Sequence, residues 1–584
     1  MRDLVRAAAV AVIPVIALPL TVGAQVAPPP PITPQQLEQL TPPDLPRLAP
    51  SLRPVAPDVQ RGPGEGQLVS VGAVRVAGNQ SLPDSALLPL LQPLVGRDVP
   101  LSEIEDARIR LISAYGRAGF PFVTAVAGIS REGVNVVTIT IVEGRIGAVR
   151  LDGDIGPAGT QVLRFLNTLV GEAVSGSRLE RALLLAGDIP GVTVRSIVRP
   201  LEGGVPGELE LVAQVSRQAF SGYLSADNRG YRLTGPVQAL LNVGANSFTE
   251  FGERVEAVIF QAQDWEQTFG QVGAEAFVGS SGLRLRAYAG RGISSPGGFL
   301  SQIGYEGTST VFGVGAVYPI IRSRPANLFG VASFDGLNTE IELGNPSSPQ
   351  SLDRVRTLRF GFEANALDSF VPFTPAPATT TASVRLHRGT GWFGATASGQ
   401  AVPPGRVDSD FEFTKWSAEL TRTQPVFAPS DGTMLSLFGL VAGQRTNEVL
   451  PQSEKFLFGG QRLGRGFYSG QVTGDTAIGV SVELQLDVRP EPFRVPWIGG
   501  ERQANPTAQF YLFRDFGKTF ENLATDRNRT LESYGGGVRL FLADGVQLDL
   551  EGVRRMTRSV DATAGSGVRP LPETAGFFRL LTRF

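Results

Sequence analysis

The chain has 584 residues with 70 Gly, 43 Pro, one His and no Cys, and its formal net charge is −2. The lack of cysteine excludes disulfide frameworks, thiolate zinc sites and thiol nucleophiles, and a single histidine excludes a histidine-rich metal site. The nearly balanced charge argues against a nucleic-acid partner, because phosphate affinity depends on clustered excess Lys and Arg. We therefore expect no cofactor, no metal and no nucleic acid.

Residues 1–24 are predicted to be an export signal. Arg2 and Arg6 precede an uncharged apolar stretch over 7–20, which small residues follow. This order of regions is typical of a secretory signal peptide, and the stretch is shorter than the roughly 20 residues that a spanning helix needs. Beyond it no uncharged apolar run is long enough to span a bilayer, so the sequence excludes a helical membrane protein.

Proline dominates residues 25–67, with an unbroken proline run over 28–31. The segment is predicted to be an extended linker without a core of its own. One short helix is expected over 33–40, where a Thr-Pro-Gln-Gln sequence supplies the N-cap, the first-turn proline and the glutamine of a helix start. Two further prolines then end it.

Two consecutive units are predicted over 68–143 and 144–217, each in the order strand, helix, helix, strand, strand. Helices are assigned where apolar residues recur with a period of about 3.6, and strands where β-branched residues lie between glycines. The elements are expected at 69–76, 81–94, 101–116, 122–127 and 134–142 in the first unit, and at 146–151, 159–169, 177–186, 192–198 and 209–215 in the second. The two units form an internal repeat at the level of pattern.

Residues 218–584 alternate with a period of two. Val482 and Leu484 lie on one face of a predicted strand, and Glu483 and Gln485 lie on the other. A soluble sandwich also alternates, but strands of about 9 to 13 residues and alternating short and long connections favour a membrane barrel. Sixteen strands are predicted, starting near 218, 235, 253, 267, 283, 310, 326, 354, 381, 412, 433, 478, 508, 533, 545 and 576.

The last strand carries the alternation to the end of the chain. Phe578 and Phe584 share one face, and Arg579 and Arg583 share the other. Phe584 is interpreted as the C-terminal signal of the barrel. An even number of strands returns the C-terminus to the side of the two N-terminal units, so a tight turn at 543–545 is expected on that side.

The connection over about 447–477 follows the eleventh strand and is predicted to be the sixth loop on the opposite side. It is rich in glycine and presents Arg465, followed by Gly466 and Phe467. A flexible surface loop with an incidental charge would have the same composition. If the loop instead folds into the lumen, Arg465 needs a carboxylate there, because an unpaired buried charge loses its solvation. Asp515 offers such a carboxylate, since it lies on the thirteenth predicted strand, which runs in the same direction as the eleventh.

These motifs resemble those of the outer-membrane transporters of two-partner secretion, the TpsB family of the haemolysin and filamentous-haemagglutinin secretion type. The Val-Arg-Gly-Phe/Tyr motif of the family's sixth loop corresponds to residues 464–467, which differ at the first position only. The family's Phe-x-Asp-x-Gly strand motif is intact as Phe513, Asp515 and Gly517. In the family this Arg and this Asp pair, so the resemblance implies that Arg465 pairs with Asp515.

Two further motifs carry the resemblance, which covers about residues 65–584. Tyr115, Gly119 and Phe120 are similar to the end of the second helix of a POTRA domain, and residues 227–235 resemble the family's first hairpin. Each motif alone is weak, but the four occur in the right order on the right elements. The long plug helix that family members often carry has no counterpart except the short 33–40 candidate.

The resemblance implies an all-β transmembrane barrel of 16 antiparallel strands preceded by two periplasmic α+β POTRA domains, in the bacterial outer membrane. It implies a transporter, not an enzyme. The POTRA domains would capture an unfolded exported partner protein, and the barrel would secrete it. The implied partners are a large adhesin-like or haemolysin-like passenger, outer-membrane lipid and, during biogenesis, the barrel assembly machinery.

Three alternatives are kept. The same plan of POTRA domains and a barrel serves factors that insert other barrel proteins into the membrane, and only analogy separates the two roles. A plain porin would not need the periplasmic repeats. An enzyme would have to use His387, which is predicted to share a strand face with Arg385 and is interpreted as a polar residue that faces the lumen.

Overall fold

The structure is a computed structural model of the chain. It describes residues 68–344, 348–397, 399–490, 493–497, 500–504, 506–543, 545–560 and 570–584, together with Gln36, Leu37, Leu40, Pro46, Leu48 and Ala49. The predicted export signal over 1–24 lies outside the described residues, as does most of the linker over 25–67. No helix in the described ranges is both long and apolar enough to cross a membrane.

The first unit is a layer of strands covered by helices. Its elements are β1 (Leu68–Val71), β2 (Ala73–Ala77), α1 (Asp84–Leu87), β3 (Arg97–Pro100), α2 (Leu101–Arg117), β4 (Val123–Glu132) and β5 (Val134–Glu143). The sheet order is β2-β5-β4, with β2 parallel to β5 and β4 antiparallel to it. The buried face of α2 packs on this sheet through Ile104, Ala107 and Leu111.

Two local expectations for this unit were wrong. The helix predicted over 81–94 is the four-residue helix α1 followed by two short 3-10 turns, because Pro89 and Pro93 lack the amide hydrogens that an α-helix needs. The strand predicted over 69–76 is interrupted at Gly72, where a side chain would collide with Val134. As a result β1 pairs with the unpredicted strand β3, and only β2 joins the main sheet.

The second unit repeats this arrangement. Its elements are β6 (Arg145–Asp152), α3 (Ala158–Leu166), α4 (Gly176–Gly187), β7 (Val192–Pro200) and β8 (Glu208–Arg217). The sheet order β6-β8-β7 again combines one parallel and one antiparallel pair. Each unit therefore leaves one antiparallel strand, β4 or β7, with a single neighbour in its described sheet.

Sixteen antiparallel strands close into a barrel, as the sequence predicts. They are β9 (Phe220–Asp227), β10 (Gln238–Asn246), β11 (Arg254–Ala262), β12 (Gln267–Val278), β13 (Leu283–Ser294), β14 (Glu306–Arg322), β15 (Ala326–Leu343), β16 (Ser348–Asp368), β17 (Ala378–Gly389), β18 (Thr414–Phe427), β19 (Thr433–Thr446), β22 (Thr476–Val488), β25 (Thr507–Phe520), β26 (Arg529–Ala543), β27 (Val546–Arg555) and β28 (Thr574–Arg583). The largest shift from a predicted start is at β16, expected near 354 and beginning at Ser348.

The remaining short elements lie in the connections. They are the helix α5 (Phe299–Gln302) and the hairpins β20 (Phe456–Phe458) with β21 (Val472–Gly474) and β23 (Phe493–Trp497) with β24 (Gly500–Ala504). The first hairpin belongs to the connection between the eleventh and twelfth barrel strands, β19 and β22. This connection is the predicted sixth loop, and we keep that name for residues 447–475.

Burial in the barrel is the reverse of that in a soluble sandwich. On β22 the side chain of Leu484 is 44% exposed on the outer surface, whereas its neighbour Glu483 is 1% exposed in the lumen. Phe360 and Phe362 on β16 are likewise about half exposed. A surface of exposed apolar residues around a polar interior is typical of a barrel that faces lipid.

The second unit packs directly on one end of the barrel, which we call the lower end. Arg322 of β14 forms a bidentate ion pair with Asp188, with both distances 2.7 Å. Gln161 of α3 donates to the carbonyl oxygen of Gly279 at 2.8 Å, and the ring of Phe165 packs edge-on against Phe277 at 5.3 Å. These contacts fix the second unit beneath the turns between β10 and β15.

Described residues of the N-terminal segment lie inside the barrel. Gln36, Leu37 and Leu40 are helical, and Leu37 is buried in a cluster with barrel residues that include Leu240 and Phe260. Further along, the carbonyl oxygen of Pro46 accepts a hydrogen bond from Asn365 at 2.9 Å. The amide of Ala49 donates to Arg324, in the turn between β14 and β15, at 3.0 Å. The described residues of the segment therefore lie at points between the lumen and the lower end.

Candidate functional site: the loop inside the barrel

The sixth loop enters the lumen as a short hairpin. β20 and β21 pair from Phe456 and Gly474 to Phe458 and Val472, and the residues between them form the tip. Phe458 and Phe467 are completely buried. The apolar residues of the hairpin thus pack against the inner wall instead of facing solvent at the upper end.

Arg465 at the tip is buried among carboxylates of the wall. Its main-chain amide donates to Asp515 Oδ2 at 2.6 Å, and its Nη2 lies 3.4 Å from Asp515 Oδ1. Its Nη1 forms a closer ion pair with Glu483 and lies 3.9 Å from Glu551 Oε2. The sequence-predicted residues Arg465 and Asp515 are therefore adjacent, with Glu483 as an additional partner.

Side chains of three strands position these carboxylates. Ser481 on β22 donates to Asp515 Oδ1 at 2.7 Å, and Arg539 on β26 donates to both oxygens of Glu483, at 2.6 and 3.0 Å. Tyr511 on β25 donates to Glu551 Oε2 on β27 at 2.8 Å. Because the buried carboxylates are shared by several donors, the site is a connected network and not an isolated pair.

Phe513, the first residue of the strand motif, forms the floor of the site. Its ring centroid is 3.7 Å from the guanidinium carbon of Arg465. A planar guanidinium stacks favourably on an aromatic face when it is removed from water. The motif therefore supplies two different contacts to Arg465, the ring of Phe513 and the carboxylate of Asp515.

Gly517, the last residue of the strand motif, leaves space for the loop. A Cβ at this position would lie 2.7 Å from Cε1 of Phe458. A Cβ at Gly479, the neighbouring position on β22, would lie 2.5 Å from the same atom. The two glycines form a shallow depression in the wall that receives the Phe458 ring.

Gly466 has the same role at the tip of the loop. A Cβ there would lie 2.6 Å from Cβ of Ser533 on β26. The carbonyl oxygen of Gly466 accepts a hydrogen bond from Arg555 Nε, and the amide of Phe467 donates to Gly464 at 2.9 Å. The glycine after Arg465 thus permits close contact between the tip and the wall.

A second polar cluster joins three loops at the upper end. Arg406 of the fifth loop contacts Asp475 of the sixth loop at 2.6 and 2.9 Å, and Glu521 and Asp526 of the seventh loop at 3.1 and 2.9 Å. Lys455 of the sixth loop lies 2.9 Å from Glu521. Burial favours the neutral acid at Asp475, but its hydrogen bonds from Arg406 and the charge of Arg406 lower the pKa of this carboxyl.

The other predicted site residues lie elsewhere. Tyr115 and Phe120 close the end of α2, where the Phe120 amide donates to the Tyr115 carbonyl oxygen at 3.0 Å and Gly119 adopts φ +92°. The Tyr115 hydroxyl donates to Glu143 Oε1 at 2.8 Å, and so does the Ser81 amide at 2.7 Å. Although burial opposes ionisation, these hydrogen bonds and others around the carboxylate lower the pKa of Glu143.

Phe584 lies at the closure of the barrel. Its amide donates to the carbonyl oxygen of Gly222 at 3.0 Å, and the Gly222 amide donates back at 2.9 Å. A Cβ at Gly222 would lie 2.8 Å from the Phe584 ring. The C-terminal residue therefore packs on the first barrel strand, β9.

His387 faces the lumen and is part of the wall. Its Nδ1 accepts a hydrogen bond from Arg359 Nε at 3.1 Å, so its Nε2 carries the proton that Ser417 Oγ accepts at 2.8 Å. Both ring nitrogens are therefore occupied by wall residues. In the part of the chain that the structure describes, no group of three or more acidic or histidine side chains could hold a metal ion.

Sequence reasoning missed several members of the luminal site. Glu483, Ser481 and Arg539 belong to no motif that the sequence analysis used, and Arg406 lies in a loop without a predicted role. One signal was available, since alternation places Glu483 on the inner face of its strand. Which residue it meets there depends on how the loop folds, and this the alternation does not specify.

Two family models match separate parts of the chain. The model described as "Haemolysin secretion/activation protein ShlB/FhaC/HecB" matches residues 369–540, a range that contains both Arg465 and Asp515. The model described as "POTRA domain, ShlB-type" matches residues 69–144, which is the first N-terminal unit. The two matches thus cover the first unit and the part of the barrel that contains the site.

Relatives extend the similarity to most of the chain. The "Heme/hemopexin transporter protein HuxB" of Haemophilus influenzae (strain 86-028NP) is 21% identical over 497 residues, 83% of this chain and 82% of the relative. The solved structure "CdiB from Escherichia coli" has a TM-score of 0.68 and 16% identity, and covers 92% of this chain and 94% of its own. "CdiB from Acinetobacter baumannii" has a TM-score of 0.61 and 17% identity, with coverages of 94% and 96%. At these identities the solved structures support the fold alone.

Proposed function

We propose that the chain is a member of the family of haemolysin secretion/activation proteins ShlB/FhaC/HecB, whose models match residues 369–540 and 69–144, and that it secretes an exported partner protein across the bacterial outer membrane. Its POTRA domains lie in the periplasm, so the lower end of the barrel receives the passenger and the upper end releases it. The observation that carries the proposal is the buried position of Arg465 in the lumen. A pore that holds its own loop in the lumen must move that loop to pass a polypeptide, as a gated channel does.

Passenger capture is proposed at the free edges of the POTRA sheets. β4 and β7 each have one neighbour in their described sheets, and Val126 and Ile129 on β4 are 64% and 45% exposed. An edge strand with unpaired backbone groups binds an extended chain through main-chain hydrogen bonds, with little regard to its sequence. This is the mode of binding that an unfolded passenger of unspecified sequence requires.

Transport is proposed to need no nucleotide. The chain has no GxxxxGK phosphate loop, the motif that holds the phosphates of a bound nucleotide. Folding of the passenger outside the cell would make each passage irreversible. We further propose that the apolar outer surface of the barrel contacts outer-membrane lipid. Insertion into that membrane would depend on the barrel assembly machinery.

One observation favours a second candidate function, the insertion of other barrel proteins. The first and last strands, β9 and β28, pair over five register positions, from Tyr223 and Arg583 to Asp227 and Arg579, with one further pair of hydrogen bonds between Gly222 and Phe584, whereas β27 and β28 pair over nine. A short seam is the place where a barrel could open sideways. The matched family is one of secretion proteins, which places this candidate second.

Removal of the gene and its return on a plasmid test the proposal. We expect one large exported protein to disappear from the culture medium and to return with the intact gene, and a neighbouring gene should encode it. The relative named as a haem/haemopexin transporter makes iron-limited growth the first condition to test. An unchanged medium together with depleted outer-membrane barrel proteins would support the insertion function instead.

A further inference from the structure

The base of the sixth loop carries a second buried ion pair, separate from that of Arg465. Glu454 lies in a 3-10 turn at the start of the hairpin and is 4% exposed. Its Oε2 is 2.7 Å from Nζ of Lys415, a completely buried lysine that also donates to the Glu454 carbonyl oxygen at 2.6 Å. Its Oε1 accepts a hydrogen bond from Arg359 Nη2 at 2.9 Å.

The two ion pairs lie on different parts of the wall. Lys415 is on the tenth barrel strand, β18, and Arg359 is on the eighth, β16, whereas the acidic partners Glu483 and Asp515 of Arg465 are on the twelfth and thirteenth. The eleventh strand, β19, lies between the two groups. The charges are also reversed, since the loop supplies the carboxylate at its base and the guanidinium at its tip.

The base is further constrained by the residue that follows Glu454. Lys455 contacts Glu521 of the seventh loop, so consecutive side chains of opposite charge bind the barrel wall and a neighbouring loop. Gln444 of β19 donates to the carbonyl oxygens of Glu454 and Asp475 at 3.1 and 3.0 Å. One side chain therefore bridges the two points where the hairpin leaves the barrel wall.

We propose that Glu454 is a positioning residue that keeps the base of the sixth loop docked when the tip is released. A buried carboxylate with two cationic partners resists displacement, because breaking such a pair leaves an uncompensated charge. The loop then pivots about its base as Arg465 leaves its site, and it returns to the same place afterwards. The inference rests on the proposed function, in which the tip moves during secretion.

The natural absence of cysteine permits a direct test in the full-length chain in intact outer membranes. Ser453→Cys reports on the base and Ser469→Cys reports on the tip, each labelled with a membrane-impermeant maleimide. We expect Arg465→Ala to speed labelling at 469 by about tenfold and to leave labelling at 453 unchanged, since local openings of a structure have separate free energies. Glu454→Gln should instead speed labelling at 453.

Three controls make the test specific. Glu275→Gln removes a luminal carboxylate that pairs with Arg284 on the wall at 3.0 Å, far along the chain from the loop, and should change neither rate. Glu454→Asp, which keeps the carboxylate between Lys415 and Arg359, should protect 453 better than Glu454→Gln does. Heat-modifiable mobility in electrophoresis identifies variants that still fold.

The inference is overturned if Glu454→Gln leaves labelling at 453 at the wild-type rate in a folded barrel. It is also overturned if Arg465→Ala and Glu454→Gln each speed labelling at both positions equally, since the loop would then be one rigid unit. Labelling requires no passenger, so either result is distinguishable from a failure of the secretion assignment, which is measured in the culture medium.

Discussion

Arg465 and Asp515 are joined mainly through the backbone of Arg465. The Arg465 amide donates to Asp515 Oδ2 at 2.6 Å, while the guanidinium Nη2 is 3.4 Å from Oδ1 and pairs more closely with Glu483 through Nη1. Asp515 thus fixes the position of the loop backbone, and Glu483 balances the charge of the side chain. Substitutions at Asp515 and at Glu483 therefore remove different interactions of Arg465, whereas a simple Arg–Asp pair would have only one interaction to remove.

The first prediction concerns Glu483. We expect Arg465→Ala, Asp515→Ala and Glu483→Gln each to reduce secretion strongly, because each leaves a buried charge without its partner, a loss of about 3–5 kcal/mol. Secreted passenger is measured in the medium, with heat-modifiable mobility as the check on folding and Glu275→Gln as the matched luminal control. Secretion at the wild-type level by the Glu483→Gln variant would show that the site does not require the Glu483 carboxylate.

The second prediction concerns the glycine after Arg465. Gly466→Ala should displace the tip, since its Cβ would lie 2.6 Å from Cβ of Ser533, and overpacking of this kind costs about 1–3 kcal/mol. Ser533→Gly removes the opposing atom, so the double variant should secrete more than Gly466→Ala alone. If the double variant is no better, Gly466 is required for a reason other than space.

The third prediction concerns the depression that receives Phe458. Gly517→Ala should expel the Phe458 ring and raise resting conductance in planar bilayers, because its Cβ would lie 2.7 Å from that ring. Gly552→Ala on β27, where a Cβ meets nothing within 4 Å, is the control for the effect of alanine in a barrel strand. Equal conductance of the two variants would contradict the role assigned to Gly517.

The fourth prediction concerns the first POTRA domain and its pH dependence. Hydrogen bonds to the ionised Glu143 contribute about 1–3 kcal/mol to the stability of the first POTRA domain. Glu143→Gln should therefore speed amide exchange over residues 68–143 of the full chain at pH 7. Because the folded pKa is lowered from 4.5, this contribution is fully present above that value and is lost as pH falls below it. The difference between wild type and variant should therefore shrink in acid, and a constant difference would show that the charge is not responsible.

The fifth prediction concerns the N-terminal segment in the lumen. Deletion of residues 25–67 should raise the resting conductance of the pore, since Leu37 is buried against Leu240 and Phe260 and the Ala49 amide donates to Arg324 at the lower end. Leu37→Asp with Leu40→Asp should also raise the conductance, by expelling these two side chains from the lumen without shortening the chain. Unchanged conductance in both would mean that the sixth loop alone closes the pore.

The barrel was predictable because each strand repeats one simple pattern. Alternation is a local property, so Val482 and Glu483 suffice to assign opposite faces. Breaks in helices and strands were harder to predict. Pro89 and Pro93 end a helix that the pattern of apolar residues predicts, and the break at Gly72 depends on the close approach of Val134, which is distant in sequence.

The site was predictable only where a motif linked distant residues. Arg465 and Asp515 were paired through a family resemblance, whereas Glu454 and Lys415 form an equally buried pair that no local pattern indicates. Partners that are far apart in sequence depend on the path of the loop. That path is set by glycine spaces and ring packing at Gly466, Gly479 and Gly517.

The short seam between β9 and β28 has a consequence for the wall of the barrel. Just beyond the last paired position, the carbonyl oxygen of Arg229 accepts a hydrogen bond from Ser469 at 2.8 Å, and Arg229 Nη1 donates to Gly460 at 3.0 Å. The tip of the sixth loop therefore completes the closure that strand pairing leaves unfinished. If the loop leaves the lumen during secretion, as proposed, these contacts are lost, and the wall is then held at the β9–β28 seam by the strand pairing alone while the pore is open.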